Sequence, residues 1–471
     1  MRSTIHPKHD RSDALVLFGI TGDLAYKKLF PALHDLEAHE DLDFPVIGVA
    51  RSDWTLDELK ERAEASMREH VEDLDEDAMR TVIDRLEYVQ GDYGHPDTFE
   101  RLNELLDDCS RPLAYLAIPP SLFDEVVEGL DRIGANTRGG GVVVEKPFGR
   151  DLESAQELDD LLRASFPEEL IYRIDHFLGK ETVLDVMLFR LANPVLDTLL
   201  HRHEVDHIQI TMAEDFGIEG RGGFYDSVGA VRDVVQNHLL QIMAVFLADP
   251  PVSDDPEALR DEKAKVLKAM RPMDPAEMVR GQYVGYLDVD QVAPDSTTET
   301  FVSLIARVET WRWSDVPIHI RAGKAMAETR TEIAVVFKRP PLSLYRGEGM
   351  DEPPPNTLRF RLKPGERIDL GIQLKEPGEE ISTHGVHMTY EWKPGQGRHT
   401  EAYARLLGDA IKGDRTLFAR SDSVMAAWSA VQPLIDEPGP VHPYQPGTQG
   451  PPEADRVAPP GGWLRPLYGD E

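Results

Sequence analysis

The chain has 471 residues, a net charge of −34 and 41% hydrophobic residues. Its length exceeds one ordinary core, so two domains are expected, and its acidity disfavours nucleic acid, whose phosphates need a basic face. No run reaches the roughly 20 apolar residues that span a bilayer. The N-terminal M-R-S-T-I-H-P-K-H-D-R-S-D lacks a secretion-signal core, and the lone cysteine, Cys109, excludes an internal disulfide and fits a reducing cytoplasm. Acids outnumber bases 85 to 51, and 15 of the bases are lysines. This balance suits either a well-solvated acidic surface or a salt-rich cytosol, where short screening lengths make self-repulsion tolerable.

Along the chain, A-L-V-L-F-G-I (14–20), P-V-I-G-V-A (45–50), Y-V-Q (88–90), L-A-Y-L-A-I (113–118), V-V-V-E (142–145) and I-Y-R-I (171–174) read as short buried strands. Helical patterns lie between them; the one over 55–70 opens with the capping box T-L-D-E. Apolar strands alternating with helices predict a doubly wound α/β domain with a parallel sheet. After residue 180 the pattern changes. Helices are expected over 181–191 and 226–247, and a strand at H-I-Q-I-T-M (207–212). From 297 onward, five strand-like runs follow one another without a helix, so the second domain is α+β with a large, mainly antiparallel sheet. Helices return at 399–412 and 422–434, and the Pro/Gly-rich tail 436–462 is expected to be turns with little regular structure. The boundary is placed at 176/177: residues 1–176 for the first domain, 177–471 for the second.

Three stretches carry chemistry. F-G-I-T-G-D-L-A-Y-K-K (18–28) follows the first strand and opens the first helix, where a dinucleotide pyrophosphate sits over free N–H groups. Gly19 and Gly22 allow that approach, and the turn also brings Thr21, Asp23, Leu24 and Lys28. Arg51 and Ser52 end the second strand, where a base accepts a 2′-phosphate; this favours NADP, although Asp53 leaves NAD possible as well. R-I-D-H-F-L-G-K (173–180) and D-V-V-Q-N-H-L-L-Q (233–241) crowd polar groups among apolar neighbours, and each such group needs a partner.

Together with E-K-P-F-G (145–149), I-R-A-G-K (320–324) and R-L-L-G-D-A-I-K-G-D-R-T-L-F (405–418), these motifs resemble the glucose-6-phosphate 1-dehydrogenase family across nearly the whole chain. The resemblance implies a Rossmann-type NADP-binding domain and a second domain for substrate binding and dimerisation, with the active site between them. It also implies oxidation of β-D-glucose 6-phosphate at C1 to 6-phospho-D-glucono-1,5-lactone, the first step of the oxidative pentose phosphate pathway. His238 would be the general base and Asp175 the carboxylate that orients it. His176 and Lys180 would bind the 6-phosphate, sharing one face if a helix begins there. Lys146, Glu214, Asp233 and Lys324 would contact the sugar, and Lys146 would also meet the cofactor. The resemblance further implies a cis Pro147, no metal, a cytoplasmic enzyme and a homodimer or dimer of dimers. H-R-H-E-V-D-H (201–207) reads as a linker, not a metal site.

Phe177 stands where the family commonly has Tyr, Tyr26 replaces a common Lys, and T-Q-G-P (448–451) replaces S-W-G-P. Two alternatives stay open. One is a sugar dehydrogenase of the glucose–fructose oxidoreductase type, with Lys146 catalytic. The other is an NADPH-sensing protein without catalysis.

Overall fold

The computed structural model describes residues 11–40, 42–342, 353–379, 382–392 and 400–466. Most of the N-terminal stretch read for a secretion signal (1–10), and residue 399 of the expected helix 399–412, lie outside them. The chain divides into two units that interleave in sequence. One comprises Met1–Glu181, Pro251–Asp261 and His399–Met425; the other comprises Thr182–Pro250, Glu262–Arg398 and Ala426–Glu471. No helix among the described residues is long and apolar enough to cross a membrane.

The first unit holds a six-stranded parallel sheet: β1 (Ala14–Phe18), β2 (Val46–Ala50), β3 (Leu86–Gln90), β4 (Pro112–Leu116), β5 (Val142–Val144) and β6 (Ile171–Arg173), in the order β3-β2-β1-β4-β5-β6. Strands covered on both faces need apolar residues throughout, and every residue of β1, β2 and β4 is buried. The edge strand β3 is only partly covered: Leu86 and Val89 are buried and Glu87 is exposed. Thr55 caps the helix Leu56–His70 as expected: the Glu58 N–H donates to Thr55 Oγ1 (3.2 Å), and the Thr55 N–H to Glu58 Oε2 (2.7 Å). The strand order reverses between β1 and β4, and ligands of such sheets bind outside the carboxyl ends of the strands at that point.

The second unit holds a nine-stranded sheet: β7 (Val205–Ala213), β8 (Met278–Tyr283), β9 (Phe301–Ala306), β10 (Ile318–Gly323), β11 (Arg330–Phe337), β12 (Thr357–Lys363), β13 (Arg367–Lys375), β14 (Thr383–Glu391) and β15 (Val441–Tyr444). Their order is β14-β13-β12-β11-β7-β10-β9-β8-β15, antiparallel except for the β7–β10 and β8–β15 pairs. The tail is more ordered than its composition suggests. β15 completes the sheet, and Gly447 and Ala327 exchange backbone hydrogen bonds with Ala325 and Thr448 (both 2.9 Å). Pro and Gly there shape an edge strand and turns that pack on other elements, so they do not prevent order.

The helix expected over 226–247 is broken. Gly222–Ala230 ends at a kink where Gly229 adopts φ 67°, ψ 177°; Val231–Leu239 is π-helical and Leu240–Leu247 α-helical. Glu299 seats the new helix start: its carbonyl accepts from the Ala230 N–H (3.1 Å) and its Oε1 from the Val231 N–H (3.1 Å). Arg280 pairs with the same carboxylate at 2.9 Å, both side chains buried. A Cβ at Gly229 would stand 2.5 Å from Glu299 Oε1. Gly229→Ala should therefore cost about 1–2 kcal/mol from the left-handed backbone alone, lowering Tm by roughly 2–8 °C. Thermal unfolding with an unchanged midpoint would contradict this.

Candidate active site

In the first unit the sequence-predicted residues all follow carboxyl ends of parallel strands: Gly19 to Lys28 after β1, Arg51 and Ser52 after β2, Lys146 after β5, and Asp175, His176 and Lys180 after β6. The β1 turn closes with the Gly22 N–H on the Gly19 carbonyl at 2.9 Å. Gly19 takes φ 80°, and a Cβ there would lie 2.3 Å from the Ala117 carbonyl oxygen. A Cβ at Gly22 would meet Gly19 O at 3.1 Å and otherwise project into open space. Gly22 and Asp23 are exposed, Thr21 and Leu24 partly so. This turn fits a pyrophosphate: its backbone can be approached closely and a helix start follows. Ser52 Oγ donates to Thr21 Oγ1 (2.9 Å), tying the β2 loop to the β1 turn. Arg51 is half exposed and pairs with Asp92 (3.1 Å) and Glu125 (3.4 Å). Exposed pairs of this kind are worth little, so a 2′-phosphate can displace them. Tyr26, which replaces a common Lys, carries the Arg62 guanidinium 4.5 Å above its ring; a cation is present there after all.

The β6 loop is a turn, not a helix. The Leu178 N–H reaches the Asp175 carbonyl (3.0 Å), the Lys180 N–H reaches that of Phe177 (3.1 Å), and the helix starts at Glu181. His176 and Lys180 are thus gathered by a turn. Asp175 is 5% exposed, and its Oδ1 accepts from the Phe177 N–H at 3.0 Å. Lys180 Nζ sits 3.5 Å from the Phe177 ring centroid. Phe177 lacks the usual hydroxyl but offers a face that holds the ammonium. The His176 ring stacks on Tyr403 at 6.0 Å and 13°. The Lys146–Pro147 peptide is cis.

Sequence reasoning missed a buried acid behind this loop. Tyr115 Oη donates to Glu145 Oε1 at 2.5 Å. Burial holds the Glu145 carboxyl up at about 7 against Tyr115 and Lys146, which pull it down. Burial with the Glu145 and Asp175 carboxylates likewise raises the Tyr403 phenol. The signal lay in E-K-P-F-G, where Glu145 directly follows an apolar strand and leads into a turn. Burial and the carboxylates of Asp13 and Asp108 push the Cys109 thiol up, which disfavours the thiolate.

In the second unit, Glu214 and Lys324 follow β7 and β10, two neighbouring parallel strands, and form an ion pair. Tyr444 Oη from the tail donates to the Lys324 carbonyl (2.6 Å), and Lys324 Nζ lies 5.6 Å from the Phe216 ring and 5.7 Å from that of Tyr225. Asp233 and His238 lie on the π-helical segment, whose i→i+5 closure puts them one turn apart. His238 is 3% exposed and its N–H donates to Asn237 Oδ1 at 2.5 Å. The histidines of 201–207 are engaged separately: the His201 and His203 rings stack at 4.8 Å, while His207 meets Asp206 at 2.7 Å. A cleft of about 510 Å³ in this unit is lined by other residues, Phe189, Leu196, Leu358, Leu370, Met388 and Trp392 among them.

The raised Glu145 carboxyl has a consequence for stability. Between about pH 4.5 and 7 the folded chain keeps a proton that the unfolded chain releases, so this group's contribution falls as pH rises through that window and is level above it. Asp409, also held at about 7 by burial, titrates in the same window. The comparison must therefore be with Glu145→Gln, which should show a flatter Tm between pH 4.5 and 7 than the native chain. Parallel curves would contradict the assignment.

Two family models match in tandem: "Glucose-6-phosphate dehydrogenase, NAD binding domain" over residues 16–185 and "Glucose-6-phosphate dehydrogenase, C-terminal domain" over 187–463. Glucose-6-phosphate 1-dehydrogenase 1 of Mycobacterium bovis is 43% identical over 447 residues, covering 95% of this chain and 94% of its own. The crystal structure of glucose-6-phosphate 1-dehydrogenase from Mycobacterium avium superposes with a TM-score of 0.89 at 43% identity, over 98% of this chain and 99% of that one. A glucose-6-phosphate dehydrogenase in complex with its substrate glucose 6-phosphate gives 0.88 at 34%, over 97% and 99%. The chain belongs to the glucose-6-phosphate dehydrogenase family.

Proposed function

We propose that this chain oxidises β-D-glucose 6-phosphate at C1 to 6-phospho-D-glucono-1,5-lactone with NADP, in the cytoplasm. The observation that carries this reading is the family match over both units, together with intact R-I-D-H-F-L-G-K and D-V-V-Q-N-H-L-L-Q motifs. Neither the Lys146-dependent sugar dehydrogenase nor the NADPH sensor is favoured by these matches.

NADP, when bound, supplies the hydride acceptor. The turn Gly19–Lys28 would hold its pyrophosphate, and Arg51 with Ser52 its 2′-phosphate. His238 removes the proton of the C1 hydroxyl; imidazole is the side chain whose ordinary range leaves a neutral base near pH 7. Asp175 fixes the ring's tautomer and stabilises the imidazolium as it forms. His176 and Lys180 seat the 6-phosphate with charge-assisted hydrogen bonds. Lys146, Glu214, Asp233 and Lys324 hold the sugar hydroxyls, so that C1 is fixed relative to the base.

We further propose a homodimer. Support comes from β14, an edge strand on which Met388 and Tyr390 are each 54% exposed. Sedimentation should give twice the chain mass of 52.9 kDa; a monomer would refute the dimer and leave the chemistry standing.

NADP reduction followed at 340 nm with glucose 6-phosphate tests the activity. His238→Ala should lower kcat by roughly 10²- to 10⁴-fold, and Lys146→Ala should cost less. A larger loss of kcat at Lys146 would transfer the base role to the lysine and favour the glucose–fructose oxidoreductase reading.

A further inference from the structure

Tyr225, in the second unit, has no use in the mechanism above. It lies on the helix Gly222–Ala230 and is 3% exposed. Its hydroxyl is buried without a hydrogen-bond partner among the described residues. Buried hydroxyls are almost always paired, because leaving water without compensation is costly. The neighbouring tyrosines illustrate the rule: Tyr286 Oη donates to Asp226 Oδ1 (2.8 Å), and Tyr444 Oη donates to the Lys324 carbonyl (2.6 Å). Tyr283 shares the orphan state, but its hydroxyl faces the loop backbone at Gly217 and Ile218.

Tyr225 has different surroundings. The Lys324 ammonium lies 5.7 Å from its ring centroid and is itself paired with Glu214. Burial, with the Asp233 and Glu299 carboxylates adding to it, keeps the phenol protonated. The Lys324–Glu214 pair, read above as sugar-binding, thus lies near the ring of a residue whose unpaired hydroxyl can both give and take a hydrogen bond. A phenylalanine would fill the same apolar bed, beside Phe301, Met326 and Tyr444, without the cost of an orphan.

We infer that Tyr225 is a further substrate-binding residue, whose hydroxyl pairs with a ring hydroxyl of the bound sugar phosphate beside Lys324, Glu214 and Asp233 and so helps select which sugars are accepted. The inference rests on the function proposed above. A site that hydrogen-bonds a substrate hydroxyl discriminates strongly against analogues lacking it, since both partners are otherwise left unpaired.

The test compares the native chain with Tyr225→Phe on glucose 6-phosphate and its 2-, 3- and 4-deoxy analogues. The variant should raise KM for glucose 6-phosphate about tenfold, with kcat and KM for NADP nearly unchanged and Tm no lower. It should also treat one of the three deoxy sugars as the native chain does. An unchanged KM, or a rise of the same factor for all four sugars, would overturn the assignment, as would a fall in Tm with constant KM. A native chain without turnover on glucose 6-phosphate would defeat the functional reading itself. A native chain that turns over while the variant matches it would defeat the tyrosine alone.

Discussion

A chain with a net charge of −34 can bind two phosphate-bearing ligands only if its cations are gathered where those ligands sit. Four of the fifteen lysines, Lys28, Lys146, Lys180 and Lys324, stand in motif loops. Three of the proposed site cations are also held in place. Phe177 offers its ring face to Lys180, Asp92 and Glu125 flank Arg51, and Glu214 pairs with Lys324. Holding a cation through an aromatic face or an exposed carboxylate costs little and leaves it available to a stronger anionic partner.

The fold supplies the loops. In the first unit six parallel strands release their chains on the same side, and four of those ends, of β1, β2, β5 and β6, carry residues of the proposed cofactor or substrate set. The second unit repeats the device on a smaller scale: its internal parallel pair, β7 and β10, ends at Glu214 and Lys324. Support comes from groups that touch no ligand in this account. Glu299 and Arg280 seat the helix that carries Asp233 and His238, and Tyr444 clamps the Lys324 backbone from the tail.

Much of this was legible in sequence because the signals are local. Fully apolar five-residue runs give buried parallel strands, and T-L-D-E gives a cap that forms as expected. The glycine turn was readable for the same reason: only glycine fits 2.3 Å from a carbonyl oxygen. What escaped was set by partners distant in sequence. The kink at Gly229 depends on Glu299, seventy residues on, so periodicity alone ran one helix across it. β15 pairs with β8, so a Pro-rich stretch that looked like coil became a strand. The β6 loop is a turn where a spacing of four suggested a helix, because Asp175 Oδ1 engages the Phe177 N–H and bends the chain. Tyr225 gave no sequence signal at all; an orphan hydroxyl is visible only once its surroundings are.

The claim that cations of a few loops capture the sugar's phosphate is tested most directly by the ratio of kcat/KM for glucose 6-phosphate to that for glucose. Two charge-assisted contacts, from His176 and Lys180, predict a ratio of roughly 10² or more, shrinking towards one in a chain lacking both. A native ratio near one would show that the phosphate is not what these residues bind, and would contradict the account.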